Sequence, residues 1–279
     1  MKKPLPKPPK AYKNLDFLNG PDARTVRMLA EFMEPQGRFR REQVRDTIVF
    51  FGSARVNDRK TATRNAHDMD RIVARSKRPT KDLLRKMRAA HVAVEMSRYY
   101  EETVELSRLL TQWSMRLKKG NRFVVCSGGG PGIMEAANKG AYLAGGKTIG
   151  LNISLPFEQF ANPYISPGLN FEFHYFFMRK FWFIYMAKAL VVFPGGFGTL
   201  DELMEVLTLM QTKKIKKKMT VVMYGSDYWN KVIDFDEMVH FGVVSRDDLS
   251  LFRMIDTPVE AFNYLKTSLQ RDYPDYDDR

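Results

Sequence analysis

The sequence has very little cysteine and no long apolar run, and these two shortages argue against a disulfide-bonded protein and against a membrane-spanning one. Cys126 is the only cysteine among 279 residues, so no intramolecular disulfide can form and we expect a reducing, cytoplasmic compartment. No apolar stretch reaches the ~20 residues of a membrane helix, because Arg179, Lys180 and Lys188 interrupt the nearest candidate, 171–192. Residues 1–10 carry lysines and prolines without an apolar stretch behind them, so we predict no signal peptide.

Dense groups of metal-binding side chains are nearly absent from the sequence, and this argues against a metal site. The one dense group of metal-binding side chains is His67-Asp68-Met69-Asp70, in a charged segment without matching partners nearby. We therefore predict a solvated helix face there, and neither a metal nor another cofactor.

Positive charge is abundant but unevenly placed. The net charge of +13 comes from residues 1–120, which hold 28 Lys and Arg against 14 Asp and Glu, whereas residues 121–279 are nearly neutral. A basic half of a chain is compatible with nucleic acid or a membrane surface. Solvated helix faces and phosphate sites explain it equally simply, and nucleic acid is the less favoured partner.

The order of apolar segments predicts an α/β protein. Residues 1–20 read as a flexible basic arm, and residues 21–279 as a single domain with a helical insert at about 61–119. Short apolar strands alternating with helices indicate a Rossmann-like, doubly wound parallel sheet of five or more strands. The predicted strands are 47–51, 122–126, 148–153, 189–193 and 220–224, and the predicted helices between them are 131–144, 176–188 and 199–213.

Three of these strands end in glycine turns, which predict an anion site. The turns are Gly52-Ser53, 127–132 with Gly128, Gly129 and Gly130, and 194–199 with Gly195, Gly196, Gly198 and Thr199. Carboxyl ends of parallel strands share one edge of a sheet, and amides at helix N-termini bind phosphate. Neither long turn is a Walker loop or a complete G-x-G-x-x-G, which favours a monophosphate. Simple tight turns are the alternative.

A carboxylate follows the last of these turns. In Thr199-Leu-Asp-Glu202 the spacing fits a capping box, in which Thr199 caps the helix and Glu202 bonds back to it. The functional interpretation places Glu202 beside a phosphate, ionised by the helix field, where it orients a water or stabilises a ribosyl cation. The two interpretations are compatible with one another.

Two cations lie in an aromatic segment, 171–185, which holds nine Phe, Tyr or Trp residues. Arg179 and Lys180 are either snorkelling cations on a core or dimer helix, or ligands of a phosphate or ribose hydroxyl. Spacing by itself leaves both open. We expect His174 in the same segment to be structural.

The segment Pro194-Gly-Gly-Phe-Gly-Thr-Leu-Asp-Glu202 resembles the PGGxGTxxE signature of the "Lonely Guy" family of cytokinin-activating phosphoribohydrolases. Arg179 lies 23 residues before Glu202, which is similar to the spacing of the family's catalytic Arg and Glu. The resemblance covers about residues 45–225.

This resemblance implies hydrolysis of AMP or an N6-modified AMP, such as N6-isopentenyl-AMP, to a free base and ribose 5-phosphate. It implies Arg179 and Glu202 as the catalytic pair, and a homodimer or a larger assembly of dimers. The implied substrate contacts are Gly52, Ser53, Gly128, Gly129, Gly130, Glu158, Lys180, Gly195, Gly196, Gly198, Thr199 and Thr208. A non-catalytic nucleotide or cofactor carrier on the same fold is the main alternative, since a carrier needs the glycine turns but not Glu202.

Overall fold

The computed structural model of the chain describes residues 3–117, 122–155 and 160–274. Within these residues, the strands are β1 (Asp46–Phe51), β2 (Phe123–Ser127), β3 (Thr148–Ile153), β4 (Asn170–Phe173), β5 (Ala187–Val192), β6 (Thr220–Tyr224) and β7 (Arg253–Ile255). They form one parallel sheet in the order β4-β3-β2-β1-β5-β6-β7. The prediction of a doubly wound α/β fold is therefore confirmed.

The central strands are apolar on both faces because helices cover both sides of the sheet. All five residues of β2 and of β6 are buried, as are the last five of β1. Along β1, Ile48 and Phe50 face one core layer, and Val49 and Phe51 face the other. This alternation is what the period of two in a β-strand requires.

The helices of the described residues form two layers and a protruding hairpin. They are α1 (Leu15–Asn19), α2 (Arg24–Arg41), α3 (Arg59–Arg75), α4 (Lys81–Met115), α5 (Ile133–Leu143), α6 (Phe176–Met186), α7 (Phe197–Gln211), α8 (Ser226–Val232), α9 (Phe235–His240) and α10 (Pro258–Asp272). Buried residues of α4, α5 and α10 share one core layer. Those of α2, α6, α7 and α8 share the other.

The chain reverses its direction across the sheet between β1 and β5. From β1 the order runs outward through β2, β3 and β4, and on the other side through β5, β6 and β7. Such a switch point leaves a crevice at the carboxyl ends of the two central strands. The turns after β1 and β5 therefore meet at this crevice.

Two strands, β4 and β7, were not predicted from the sequence. They have four and three residues and lie at the two edges of the sheet. A segment this short barely shows the alternation by which strands are recognised. In β4 the burial does alternate, with Phe171 and Phe173 inward, but the flanking aromatic residues hide that signal.

The predicted helical insert consists of α3 and the long α4. The first half of α4 packs mainly on α3, whereas its second half buries Leu106, Leu110 and Trp113 against the sheet. Residues 15–19, which the sequence places in the flexible arm, instead form α1. Arg27 of α2 holds them by donating to the carbonyl oxygens of Leu18 and Gly20. No helix of the described residues is long and apolar enough to cross a membrane.

Candidate active site

The three glycine turns meet at the switch point, as predicted. The amide of Ser53 donates to the carbonyl oxygen of Pro194 at 3.0 Å, and the carbonyl oxygen of Ser53 accepts from the amide of Ile133 at 3.1 Å. The turn after β1 therefore ties together the other two. These bonds use backbone groups only, so they set the spacing of the turns independently of side chains.

Gly132 permits the closest of these approaches. Its φ is +71°, and a Cβ there would lie 2.4 Å from the carbonyl oxygen of Ser53. An L-residue would be strained at this φ and would also push the two turns apart. The packing of the turns therefore requires glycine at this position. Gly52 is similarly confined, because a Cβ there would overlap Ile133.

A buried amide network, which sequence reasoning missed, holds the turn after β2. The side-chain nitrogen of Asn162 donates to the carbonyl oxygens of Gly129 and Gly130 at 3.0 and 3.1 Å. It also donates to Asn138, which accepts from the Ser127 hydroxyl in turn. Because its carbonyl oxygens accept these hydrogen bonds, the turn is held in one conformation. Asn162 lies in a loop remote in sequence, so no local pattern marks it.

The helix after β5 begins earlier than the capping-box pattern predicts. The N-cap of α7 is Gly196, and Phe197 is its first residue. Thr199 is therefore the third helical residue, with its side chain against Gly195, and Glu202 is the sixth. The capping interpretation is wrong, because neither side chain lies at the position where it could cap this helix.

The first turn of α7 is open to solvent on one side. Apart from the adjacent residues and the backbone of α7 itself, no atom of the described residues lies within 4 Å of a Cβ built at Gly196 or at Gly198. Phe197 between them is 93% exposed. The first amides of a helix have no intrahelical acceptor and carry its positive dipole end. Open space beside them makes this turn a suitable cradle for an anion.

Arg179 of α6 and Glu202 of α7 face each other. Arg179 is in the first turn of α6, and its Nη2 lies 3.7 Å from Oε1 of Glu202. Glu202 is 4% exposed. Among the described residues, neither Nε of Arg179 nor Oε2 of Glu202 has a hydrogen-bond partner. Buried groups of this kind are almost always satisfied, so each has bonding capacity left for a bound molecule.

Burial decides the protonation of this pair. It raises the pKa of Glu202 to about 7, although Arg179 and Lys180 act in the opposite direction. Burial likewise lowers the pKa of Arg179, against the attraction of Glu202. The sequence-based expectation was that the helix field favours the ionised form of Glu202, and burial acts against it. Loss of water outweighs the favourable charges around it.

Lys180 is engaged with acidic side chains of α7. Its Nζ lies 2.9 Å from Oδ2 of Asp201 and 3.0 Å from Oε2 of Glu205. With Arg179 and ionised Glu202, these side chains form a cluster of two cations and three anions. The cluster has a net charge of −1 with Glu202 ionised and is neutral with Glu202 protonated, so the open amides are better suited to phosphate than the engaged Lys180 is.

The two remaining predicted substrate contacts are Thr208, which lies further along α7, and Glu158. Thr208 is exposed on α7, in a shallow groove lined by Phe197, Leu200, Asp201, Met204, Glu205, Thr208 and Leu209. That groove runs along the helix and includes neither Glu202 nor the turn after β2. Glu158 lies outside the described residues.

Known proteins share parts of this chain. A family model described as "Possible lysine decarboxylase" matches residues 134–265. A protein of Oryza sativa subsp. japonica named "Probable cytokinin riboside 5'-monophosphate phosphoribohydrolase" is 30% identical over 125 residues, which are 44% of this chain and 49% of that protein. The chain thus spans about half the length of the curated relative it matches.

Two solved structures are similar in shape. The molybdenum cofactor carrier protein of Chlamydomonas reinhardtii is 16% identical, with 81% of this chain and 98% of that chain covered and a TM-score of 0.46. The X-ray structure of a structural genomics target is 18% identical, with coverages of 80% and 99% and a TM-score of 0.45.

Proposed function

We propose that the chain is a member of the "Lonely Guy" family, to which its sequence is similar, and that it hydrolyses the N-glycosidic bond of a purine nucleoside 5′-monophosphate. The products are the free base and ribose 5-phosphate. AMP and N6-isopentenyl-AMP are the proposed substrates, the second of which would connect the protein with cytokinin biosynthesis. The proposed catalytic groups are Arg179 and Glu202.

One observation carries this proposal: a buried carboxylate with an unsatisfied oxygen lies on the same helix as an open first turn of amides. A tight turn alone explains the glycines. It does not explain a buried Glu202 that caps nothing and pairs loosely with Arg179. Burying a carboxylate without full hydrogen bonding costs stability, so a role in binding or chemistry is the physical reason to keep it.

The charges of the site suit a cationic transition state. We propose that the phosphate lies on the amides of the α7 first turn and of the turn after β2, while the ribose C1′ lies near Glu202. As the bond from C1′ to the base breaks, its electron pair leaves with the base and positive charge develops on the ribose. The carboxylate of Glu202 and the net negative cluster around it stabilise that charge.

Water completes the reaction. It adds to C1′, and the proton it loses goes to the departing base. Glu202 is placed to relay this proton, since a pKa of about 7 suits both its uptake and its release near neutral pH. Arg179 neutralises Glu202 between turnovers, and its unsatisfied Nε is available to a substrate oxygen.

We propose that the protein acts as a homodimer, because α6 and α7 leave large apolar side chains uncovered. Phe176, Phe177 and Tyr185 are each more than half exposed, and Phe197 is almost fully exposed. Large apolar side chains exposed on two helices that contact each other are typical of protein interfaces. Analytical ultracentrifugation tests the dimer, and Phe177→Ser is expected to weaken it.

The buried, single Cys126 supports a reducing cytoplasmic compartment.

The deciding experiment measures base and ribose 5-phosphate released from AMP and N6-isopentenyl-AMP. Glu202→Gln is expected to fold and to lose at least ~10²-fold in turnover, the scale of acid–base catalysis. Glu260→Gln is the matched control, since Glu260 lies in the first turn of α10, where Thr257 does cap the helix. Full turnover in Glu202→Gln would contradict the assignment. Tight AMP binding without turnover in the wild type would favour a nucleotide carrier.

A further inference from the structure

The junction between β4 and α6 is clamped by a glutamate of α2. The two carboxylate oxygens of Glu31 accept hydrogen bonds from the amides of His174 and Tyr175, at 2.8 and 3.3 Å. The carbonyl oxygen of Glu31 accepts a third bond, from the indole Nε1 of Trp182 at 3.0 Å. One residue therefore binds both the entry to α6 and the middle of that helix.

This clamp lies one helical turn before Arg179. Tyr175 is the N-cap of α6, and its carbonyl oxygen accepts from the amide of Arg179 at 3.2 Å. A carboxylate at a helix N-terminus satisfies amides that the helix leaves open, and it complements the positive end of the dipole. Fixing Tyr175 thus fixes the start and the direction of the turn that carries Arg179.

Arg179 has few other restraints of its own. Its guanidinium lies over the rings of Phe176 and Phe183, at 5.3 and 5.5 Å. Its distance to Glu202 is 3.7 Å, and its Nε is unsatisfied among the described residues. Such loose side-chain contacts leave the backbone of α6 to determine where the guanidinium lies.

Aromatic contacts anchor helix α2, which carries Glu31. Phe32 packs on Phe181 and Trp182, and Phe39 packs on Phe171 and Trp182. These ring contacts hold α2 against both β4 and α6, so Glu31 is presented from a fixed base. Helix α2 lies outside the matched residues 134–265, whereas the residues that Glu31 holds lie within them.

We propose that Glu31 is a positioning residue, which holds the first turn of α6 so that Arg179 faces Glu202. The proposal rests on the proposed phosphoribohydrolase function for its effect on turnover. The geometry of the clamp does not depend on that function. The structure therefore allows the two to be tested separately.

The variants are Glu31→Ala, Glu31→Gln and, as a matched control on the same helix, Glu34→Ala. Glu34 pairs with Arg38 within α2, and among the described residues no hydrogen bond or ion pair joins it to α6. We expect Glu31→Ala to lower kcat for AMP at least ~10-fold with KM within about twofold, because orientation rather than binding is lost. Glu31→Gln retains one acceptor oxygen and should fall in between, while Glu34→Ala should match the wild type.

A double variant distinguishes positioning from general destabilisation. If Glu31 acts through Arg179, adding Glu31→Ala to Arg179→Lys should lower kcat less than twofold further. An undiminished effect in that background, or an unchanged kcat in Glu31→Ala, would overturn the proposal.

Hydrogen exchange tests the clamp without any catalytic readout. The amides of His174 and Tyr175 should exchange at least ~10-fold faster in Glu31→Ala than in the wild type or Glu34→Ala, since their acceptors are gone. Unchanged exchange would refute the clamp itself. Faster exchange in a protein that does not hydrolyse AMP would instead show that the clamp is correct and the proposed function is not.

Discussion

Replacing Glu202 with glutamine should make the protein more stable at alkaline pH while it removes activity. The glutamine side chain has nearly the shape of a protonated glutamate, but it cannot ionise. In the native protein burial holds the pKa of Glu202 at about 7, against an ordinary value of 4.5. The folded state therefore resists ionisation of this side chain more than the unfolded chain does.

The size of the effect follows from proton linkage. A pKa raised by folding favours the folded state at acidic pH, and that contribution is lost as pH rises from about 4.5 through about 7. A pKa difference of about 2.5 at 1.36 kcal/mol for each pKa unit corresponds to roughly 3 kcal/mol. Since Glu202 is almost fully buried, little of this is screened by solvent. Above pH 8 Glu202→Gln should be more stable by up to about 3 kcal/mol, and at pH 4 nearly equal.

The assay is urea unfolding of the wild type and Glu202→Gln at pH 4, 6 and 8. The difference between the two free energies of unfolding removes the contributions of the titrating groups that both proteins share. The advantage of Glu202→Gln should grow with pH while the slope against urea stays the same. Thermal unfolding at pH 8 should show a midpoint higher by roughly 5 to 10 °C. Parallel stability curves with pH would refute the reasoning, because they would mean that Glu202 has no raised pKa in the folded protein.

Three further outcomes are expected. Gly198→Ala and its control in another helix, Gly37→Ala, should each keep or slightly raise the stability of the protein, because alanine is the better helix former by about 1 kcal/mol. Only Gly198→Ala should lose nucleotide binding by calorimetry, since its methyl group fills the open cradle. Gly132→Ala should lower the free energy of unfolding in urea by at least ~2 kcal/mol. Gly145→Ala should lower it less, because Gly145 has a similar φ but no neighbour within 4 Å of a Cβ. Turnover of AMP should rise with pH through about 7 if ionised Glu202 is the active form, and a pH-independent rate between pH 5 and 9 would contradict this.

Much of the fold was predictable from local patterns. The five central strands and the helices that follow them agree with the structure within about three residues, because buried parallel strands are near-continuous apolar runs. The meeting of three glycine turns at one edge followed from topology alone. The edge strands β4 and β7 were missed, since their pairing with a neighbouring strand, rather than their own composition, makes them strands.

One pattern of four residues shows where local reasoning fails. Thr-x-x-Glu occurs at Thr199–Glu202 and again at Thr257–Glu260. In α10 the Thr257 hydroxyl accepts from the amide of Glu260, as a capping box predicts. In α7 the helix has already begun at Phe197, so the same pattern falls inside it. The preceding Gly195-Gly196 turn, with its bond to the turn after β1, decides where that helix starts.

The sequence by itself determined the α/β class, the glycine turns and the pair of Arg179 and Glu202 as candidates, because periodicity, turn chemistry and a family motif are local properties. Only the tertiary structure decided what state these residues are in. Burial in the folded protein raised the pKa of Glu202, and the carboxylates of α7 engaged Lys180. Glu31, 148 residues before Arg179, came to hold the helix that carries it. Desolvation and long-range contacts depend on the folded surroundings, which no short stretch of sequence contains.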